Sequence, residues 1–544
     1  MRPPEFGGSV IAGPIGEDRA VRPEGDRFFR NPVIPGFHPD PSVCRIGEDF
    51  FLVTSSFEYF PGIPLFHSRD LITWRHIGYC LDRVGQLDLS AAPSSGGIYA
   101  PTIRHHQGIT YVAATNVTGG GHFIVHTDDP YGAWSDPVWI DQDGIDPSLF
   151  FEGSTAYFTS TIEPHPAGPH EASPSFTRGI QQSVIDIATG DIIEGPHRLW
   201  NGTGGKFPEA PHLFRRGDTY YLLIAEGGTE YGHMVTIARS NSPWGPFEPC
   251  PDNPILSHRS TSSPIQAVGH ADLVELADGS CWLVCLGVRP SGQWPHHHLG
   301  RETFLAPVTW SPDGWPSVGA GGRVEETGFG PALPQQPTID LSGNDDFNGD
   351  TLGPVWNFLR SPAPARWSLS SRPGCIRLAC DQADLDTLDV VFIGRRQQHL
   401  RCRASGTVDL QADTHSDESG LTARMNEHHH YEVAVTGALE HRRVIVRLRI
   451  GPVGQEVASQ PIPDGPVDLF ISATPDEYRF GYIDQDQQSV QLGTAPTRYL
   501  SSEVAGGFTG VYLGMYATSH GSAHGGHAYW DCFRYQFEEH SAGR

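Results

Sequence analysis

Gly36-Phe37-His38-Pro39-Asp40-Pro41-Ser42 sets one carboxylate, Asp40, between two prolines at the head of an apolar run, Val43 to Val53. Pro41 fixes its own φ and biases Asp40 toward extended backbone, a stiff mount suited to a general base. Asx-Pro is also ordinary turn chemistry, so the stretch alone does not choose between the two. What decides is its echo, Asp146-Pro147-Ser148-Leu149-Phe150, and three related stretches in the same half of the chain.

The recurring unit is an Asp or Ala, usually followed by Pro, then apolar alternation, a Gly-containing turn and an aromatic-rich strand. Asp40-Pro41-Ser42 leads to Phe50-Phe51-Leu52-Val53, and Ala100-Pro101-Thr102 leads to Gly108-Ile109-Thr110-Tyr111-Val112. Asp146-Pro147-Ser148 leads to Ala156-Tyr157-Phe158, Ala210-Pro211-His212 to Tyr220-Tyr221-Leu222, and Ala271-Asp272-Leu273 to Cys281-Trp282-Leu283-Val284. Each copy trails a further strand, a turn and an aromatic, as in His67 to Trp74 and His126 to Trp134. Five units of about four strands, spaced roughly 45 to 65 residues apart, predict a five-bladed β-propeller. The pattern stops after Trp315. A Gly- and Pro-rich stretch follows, and short alternating strands resume from Asp345, which predicts a C-terminal β-sandwich. The expected division is 1–28 as a flexible lead-in, 29–318 as the propeller, 319–343 as a linker and 344–540 as the sandwich.

With 544 residues the chain exceeds one compact core. Gly and Pro make up about a fifth of it, which favours short strands and turns over helices. The formal charge of −26 argues against nucleic acid or an anionic membrane as partner, and leaves a neutral sugar open. Nine cysteines show neither a disulfide framework nor metal-ligand spacing; Cys281 and Cys285 read as buried packing residues and a reducing compartment is expected. No signal-length apolar run opens the chain, so a cytoplasmic location is expected. Self-association is left open.

Innermost strands of a propeller line its channel, so the copies predict a ring. Superposed, they place Asp40, Ala100, Asp146, Ala210 and Ala271 at one ring position, with Pro39, Tyr99, Ile145, Glu209 and His270 one residue before. Asp40, Asp146 and Glu209 would then converge on the channel mouth. Like charges held together raise one another's pKa, an arrangement glycoside hydrolysis uses to keep one acid protonated beside an ionised base. Glu226 and Glu230 are rivals for the acid, but neither matches the ring offset.

Asn31-Pro32-Val33, the stretch Gly36 to Ser42, Ser55-Ser56-Phe57-Glu58-Tyr59-Phe60-Pro61-Gly62, Gly144 to Phe150, Pro208-Glu209-Ala210-Pro211-His212, Gly269 to Val274 and Leu299-Gly300-Arg301-Glu302-Thr303 together resemble glycoside hydrolase family 43. The branch is that of β-xylosidases and α-L-arabinofuranosidases. The resemblance continues into Asp346-Phe347-Asn348-Gly349, where it implies a jelly roll of the concanavalin or laminin-G kind. It implies an exo-acting, inverting hydrolase releasing terminal pentose from short oligosaccharides, with Asp40 as base, Glu209 as acid and Asp146 raising and orienting the acid. Phe57, Tyr99, His270, Arg301 and Phe508 are the implied sugar contacts. No cofactor is required, although a structural calcium near His270 fits some relatives. One departure is Ala210, where Glu-Gly-Pro-His is common in the family. An endo-acting arabinanase-type hydrolase and a non-catalytic sugar-binding propeller are the alternatives. Adjacent histidines on a strand point to opposite faces, so His296-His297-His298 and His428-His429-His430 are expected at the surface or pocket rim and not as metal ligands.

Overall fold

Five hairpins turn at equivalent glycines, Gly47, Gly108, Gly153, Gly217 and Gly279, whose φ values run from +60° to +84°. Positive φ is what tight hairpin turns demand and what glycine gives without strain. Each hairpin begins an antiparallel sheet of four strands in chain order, and the fourth sheet adds a short strand at Leu256–Ser257. The first strands are Ser42–Ile46, Thr102–His106, Ile145–Glu152, Glu209–Arg216 and Gln266–Glu275. They neighbour one another in order, the fifth touching the first, so the sheets close into a five-bladed propeller. This computed structural model describes residues 28–162, 178–437 and 441–538; the expected lead-in, apart from Phe28, lies outside the described residues.

Residues 28–34 tie the first blade to the last. Phe28–Arg30 pairs with Thr327–Phe329, a strand within the stretch whose composition reads as linker. The Asn31 side chain donates to the carbonyls of Leu305 and Glu325 and accepts from the Leu305 amide.

The second half forms two eight-stranded sheets packed face to face. Its alternation is explicit in Cys402–Gln411, where buried and partly exposed residues alternate along the strand. One sheet takes its last strand from the propeller: Tyr59–Phe60 pairs with Asn357–Leu359. The same apolar cluster contains Phe60, Ile63 and Ile98 of the propeller and Trp356, Phe358 and Val391 of the sandwich. Burying side chains of this kind stabilises by about 1.5–3 kcal/mol each, which fixes the sandwich beside the propeller mouth. Among the described residues the one α-helix is the short turn Ser502–Ala505. It leads directly into the loop carrying Phe508. No helix of the described residues is long and apolar enough to cross a membrane.

Candidate active site

The ring residues do not sit in extended backbone, contrary to what the prolines suggest. Asp40 has φ +56°, Asp146 φ +53°, Ala210 φ +55° and His270 φ +44°, all left-handed. This region is costly for residues with a Cβ and persists where the surroundings impose it. For Asp146, Ala210 and His270 the imposing feature is a β-bulge at the start of the innermost strand, between Ile145 and Ser148, Glu209 and His212, and Gly269 and Ala271, whereas Asp40 stands two residues before a strand that pairs without a bulge. Each bulge turns the strand start inward and aims a side chain into the channel.

The bulges also correct the superposition of the fifth blade. Ile145 and Ser148 face Thr161 and Thr159, while Gly269 and Asp272 face Leu286 and Val284. His270 is therefore the equivalent of Asp40 and Asp146, one place from the position expected for it, and Asp272 is the equivalent of Ser42, Ser148 and His212. The slip arose because the fifth copy lacks the proline that marks the place in the other four.

Asp40 is buried and fully served. Its Oδ1 accepts from Arg301 Nη1 at 2.7 Å, its Oδ2 from the Ser55 hydroxyl at 2.5 Å, and His270 Nδ1 lies 3.5 Å from Oδ1. Burial works to raise its pKa, but Arg301, His270 and the Ser55 bond outweigh that and hold the carboxyl below its usual range. Asp146 has the opposite fate. Burial first, then the negative charges of Glu209 and Asp40, push its carboxyl well above the ordinary range, although it accepts the Ala210 amide and feels Arg301. The Asp146–Glu209 pair thus retains a proton that isolated carboxyls would lose. Arg178 Nη1 stands 4.0 Å from Glu209 Oε2 and its guanidinium lies 4.5 Å over the Phe207 ring. His270 and His233 are lowered by burial first, His233 to about 3, so both rings are neutral near pH 7.

These groups open on a cavity of about 320 Å³ lined by Asp40, Phe57, Tyr99, Asp146, Glu209, His270, Arg301 and Phe508, all eight of the residues singled out from the sequence. Phe508 comes from the sandwich. It is not packed in the sandwich core but stacks on Phe57, with centroids 6.1 Å apart and an interplanar angle of 29°, and meets Tyr99 edge-on at 6.2 Å. Its carbonyl accepts from Arg301 Nη2 at 3.4 Å. Arg301 is both an ion-pair partner of Asp40 and a pocket wall.

Sequence reasoning missed Arg178, Thr229 and His233, which also line the cavity. Arg178 and His233 lie in no repeated motif. Thr229 followed Gly227-Gly228 and carried no signal of its own; its hydroxyl accepts from Arg301 Nη1 at 3.2 Å. The layer beneath was missed as well. Arg104 donates to both oxygens of Asp272, at 2.7 and 3.0 Å, while the Ser42 hydroxyl donates to Oδ2 at 2.6 Å. This polar plug is the floor on which the ring stands.

Glu226 is a structural carboxylate. It accepts the amides of Thr203 and Gly205 and the hydroxyls of Thr203 and Thr236, and so braces the loop before Glu209. Glu230 sits at the surface, 3.7 Å from Lys206 Nζ. The histidine runs were expected at the surface or the pocket rim, and here the structure differs. His296, His298, His429 and His430 are buried at 9%, 1%, 9% and 1% exposure: His296 lies 3.2 Å from the Thr497 hydroxyl and His298 meets Tyr478 edge-on, both in the sandwich, while His429 and His430 head a strand covered on both faces. His297 instead binds Glu503 Oε1 at 2.7 Å, beneath the Phe508 loop. Cys281 and Cys285 are buried and free, as expected of packing residues. Among the described residues no group of three or more His, Cys, Asp or Glu side chains is arranged to hold a metal ion.

A propeller whose channel mouth gathers three acids against aromatic walls defines a glycoside hydrolase. The comparisons with known proteins make the assignment more specific. The model for glycosyl hydrolases family 43 matches residues 29–316, and that for the β-xylosidase C-terminal concanavalin A-like domain matches residues 344–536. The chain belongs to this family. It is 45% identical over 518 residues to a Bacteroides ovatus protein named non-reducing end α-L-arabinofuranosidase BoGH43B, covering 94% of this chain and 95% of that protein. It is 35% identical over 508 residues to a Butyrivibrio fibrisolvens xylosidase/arabinosidase, covering 90% and 96%. A solved structure described as the Bacteroides ovatus xyloglucan PUL GH43B superposes with a TM-score of 0.88 at 43% identity, over 94% of this chain and all of that one.

Proposed function

We propose that the protein removes single terminal β-D-xylosyl or α-L-arabinofuranosyl residues from the non-reducing ends of short xylo- and arabinoxylo-oligosaccharides, with inversion. The observation that carries this is the division of labour among the acids: Asp40 held ionised by Arg301, and the Asp146–Glu209 pair holding a proton. Asp40 takes a proton from a water whose oxygen bonds the anomeric carbon. The glycosidic C–O bond breaks, and Glu209 delivers its proton to the leaving oxygen. Asp146 keeps that proton in place by its proximity and orients the acid through the amide of Ala210. The aromatic faces of Phe57, Tyr99 and Phe508 meet the apolar face of the sugar.

Exo action is favoured by size. A cavity of about 320 Å³ is at the small end for ligand pockets, which run from ~300 to 1,000 Å³. Phe508 walls it from the sandwich side, where an endo-acting enzyme needs an open groove. The reaction needs no metal; the calcium that the family resemblance allows near His270 would be found by elemental analysis of the purified protein. A cytoplasmic place of action, on imported oligosaccharides, is tested by cell fractionation.

The test is turnover of nitrophenyl β-D-xyloside and α-L-arabinofuranoside, with the first-formed anomer followed by NMR. Asp40→Asn and Glu209→Gln should each lower kcat by about 10²–10⁴-fold. Near-wild-type turnover in either variant removes the assignment. Sugar binding without hydrolysis at any pH would leave the non-catalytic alternative standing.

A further inference from the structure

Beside Phe57 in the pocket wall stands a carboxylate that the reaction does not use. Glu58 is 0% exposed. Its main-chain carbonyl accepts the Arg360 amide of the sandwich at 2.7 Å, and its Oε2 accepts the Ser95 amide at 3.0 Å. Its Oε1 is buried without a hydrogen-bond partner among the described residues.

Ser95 is where the two domains meet over the pocket. Its hydroxyl accepts the Phe508 amide at 2.9 Å, and its carbonyl accepts the Tyr99 hydroxyl at 3.1 Å. The approach is so close that a Cβ on Gly507, itself at φ +83°, would lie 2.6 Å from Ser95 Oγ. Phe57 is bound to the same turn by two backbone bonds with Ile98, of 2.9 and 3.1 Å. Two aromatic walls therefore hang on Ser95, the third is paired to the turn that carries it, and Glu58 grips that turn from behind.

The charges facing Glu58 explain why a carboxylate is there. Arg424 Nη2 and Arg360 Nη2 both donate to Glu427 Oε1, at 2.8 and 2.7 Å, and the Ser94 hydroxyl donates to Glu427 Oε2 at 2.5 Å. Arg424 Nε and Nη1 are buried without hydrogen-bond partners among the described residues. Two guanidiniums thus face two carboxylates, Glu427 and Glu58, with Tyr59 and Tyr512 packed alongside. Burying unbalanced charge is expensive, so Glu58 completes the balance as well as holding the turn.

We propose that Glu58 is a positioning residue that, through the Ser95 amide, holds Tyr99 and Phe508 against the bound sugar and so governs sugar affinity and not turnover. A hydrogen bond to a charged acceptor is stronger than one to a neutral acceptor. Burial pushes the Glu58 carboxyl up to about 7, against the pull of Arg424 and Arg360 and with Glu427 adding to the rise. Protonation as the pH falls through that value weakens the grip on Ser95.

The proposal rests on the glycosidase reading of the same pocket for its kinetic readout only. Glu58→Gln, Ser95→Ala and the double variant are compared with wild type in kcat and KM, in pentose affinity by calorimetry, and in hydrogen exchange at the Phe508 amide. Losing one such bond is worth about 1 kcal/mol, so each single variant should raise KM and the pentose Kd about 3- to 10-fold, with kcat within about twofold. Ser95→Ala keeps the amide that Glu58 holds and the carbonyl that Tyr99 uses, so the two residues share only the Phe508 branch, and the double variant should lose less than the product of the two single losses. Wild-type KM should show a rise as pH falls through about 7 that Glu58→Gln lacks. The ratio of the two profiles cancels titrations they share, those of Asp40, Asp146 and Glu209. Unchanged affinity in Glu58→Gln, equal loss in kcat, or additive effects in the double variant overturn the proposal. If Glu58→Gln does not fold, Ser95→Ala decides: wild-type affinity together with wild-type Phe508 exchange overturns it. A wild type that cleaves nothing but binds pentose refutes the catalytic reading, and calorimetry and exchange still decide the role of Glu58. A wild type that does not bind pentose either overturns both.

Discussion

Arg447 in the sandwich bridges Glu418 at 2.8 Å and Glu432 at 2.7 Å, and the Tyr516 hydroxyl donates to both of those carboxylates. His430 and His520 close the cluster on Asp386, Glu432, Asp384 and Glu418. The propeller mouth uses the same residue types, with Arg301 committed to Asp40 and Arg178 4.0 Å from Glu209. The consequences run in opposite directions. In the sandwich, burial would raise Glu418, but His520 and Arg447 hold it far below its ordinary range, and His520 is raised to about 10 by Asp384 and Glu418. In the propeller, Asp146 is raised while His270 and His233 are lowered. Pairing spends buried charge on cohesion; crowding leaves a proton available for transfer. The first arrangement holds a sheet together, and the second suits a catalyst.

The contrast breaks if matched isosteric changes act alike. Glu418→Gln removes a charge on which Arg447 and His520 depend, at a cost of about 3 kcal/mol, lowering the sandwich melting point by roughly 6–12 °C with kcat little changed. Asp146→Asn mimics the protonated acid that its surroundings already favour, so melting should stay within about 2 °C while kcat falls about 100-fold. With Asn at 146 the two side chains can no longer share one proton, so the alkaline limb of kcat/KM, which reports loss of that proton, should move to lower pH. Thermal melts and pH profiles of the two proteins, measured side by side, check this. A destabilised, active Asp146→Asn would reverse the roles.

A smaller effect sharpens the same comparison. The folded pKa of His520, about 10, lies above its unfolded value. Its stabilising contribution is therefore complete below about pH 6.5 and disappears as pH rises through about 10. His520→Asn should cost about 1 kcal/mol at pH 6, and the difference in melting point from wild type should close by about pH 10. A difference independent of pH would mean that the ring acts by packing and not by charge.

Much of the pocket was legible because it is written five times. Asp40, Asp146 and Glu209 stand at repeated offsets, and repetition turned three ordinary turn residues into a ring. Backbone conformation was hidden: Pro41 and Pro147 argue for extended acids, whereas both acids are left-handed, Asp146 within a bulge and Asp40 just before its strand begins, and no local preference announces it. The fifth blade slipped by one residue because alignment followed Ala271, and only the pairing of Gly269 with Leu286 shows His270 to be the ring residue. His233 and Arg178 occur once, so there was nothing to superpose. Tyr59–Phe60 falls within the propeller's stretch of sequence, and its place in the sandwich sheet is a matter of tertiary pairing alone. Alternation puts His429 and His430 on opposite faces of a strand, and what could not be seen was that both faces are covered; His296 and His298 lie on no strand and are buried against the sandwich.

Ala210 offers the finest test of how strain is distributed between the two regions. It holds φ +55° beside Glu209, at a place where glycine would adopt that backbone freely. An alanine there gives up about 1 kcal/mol, but it also leaves the unfolded chain less freedom, which returns roughly 0.5–1 kcal/mol. Ala210→Gly should therefore shift melting by no more than about 2 °C and leave kcat within about twofold. Ala210→Val is different: a β-branched residue at positive φ is a true outlier, and it should lower both stability and kcat. If Ala210→Gly instead lost fivefold or more in kcat at unchanged melting, the methyl group would be holding the amide that Asp146 accepts. The ring would then owe its geometry to this residue as well as to the bulge, whereas in the sandwich cluster the left-handed residue, His520 at φ +47°, is ion-paired with Asp384 and Glu418.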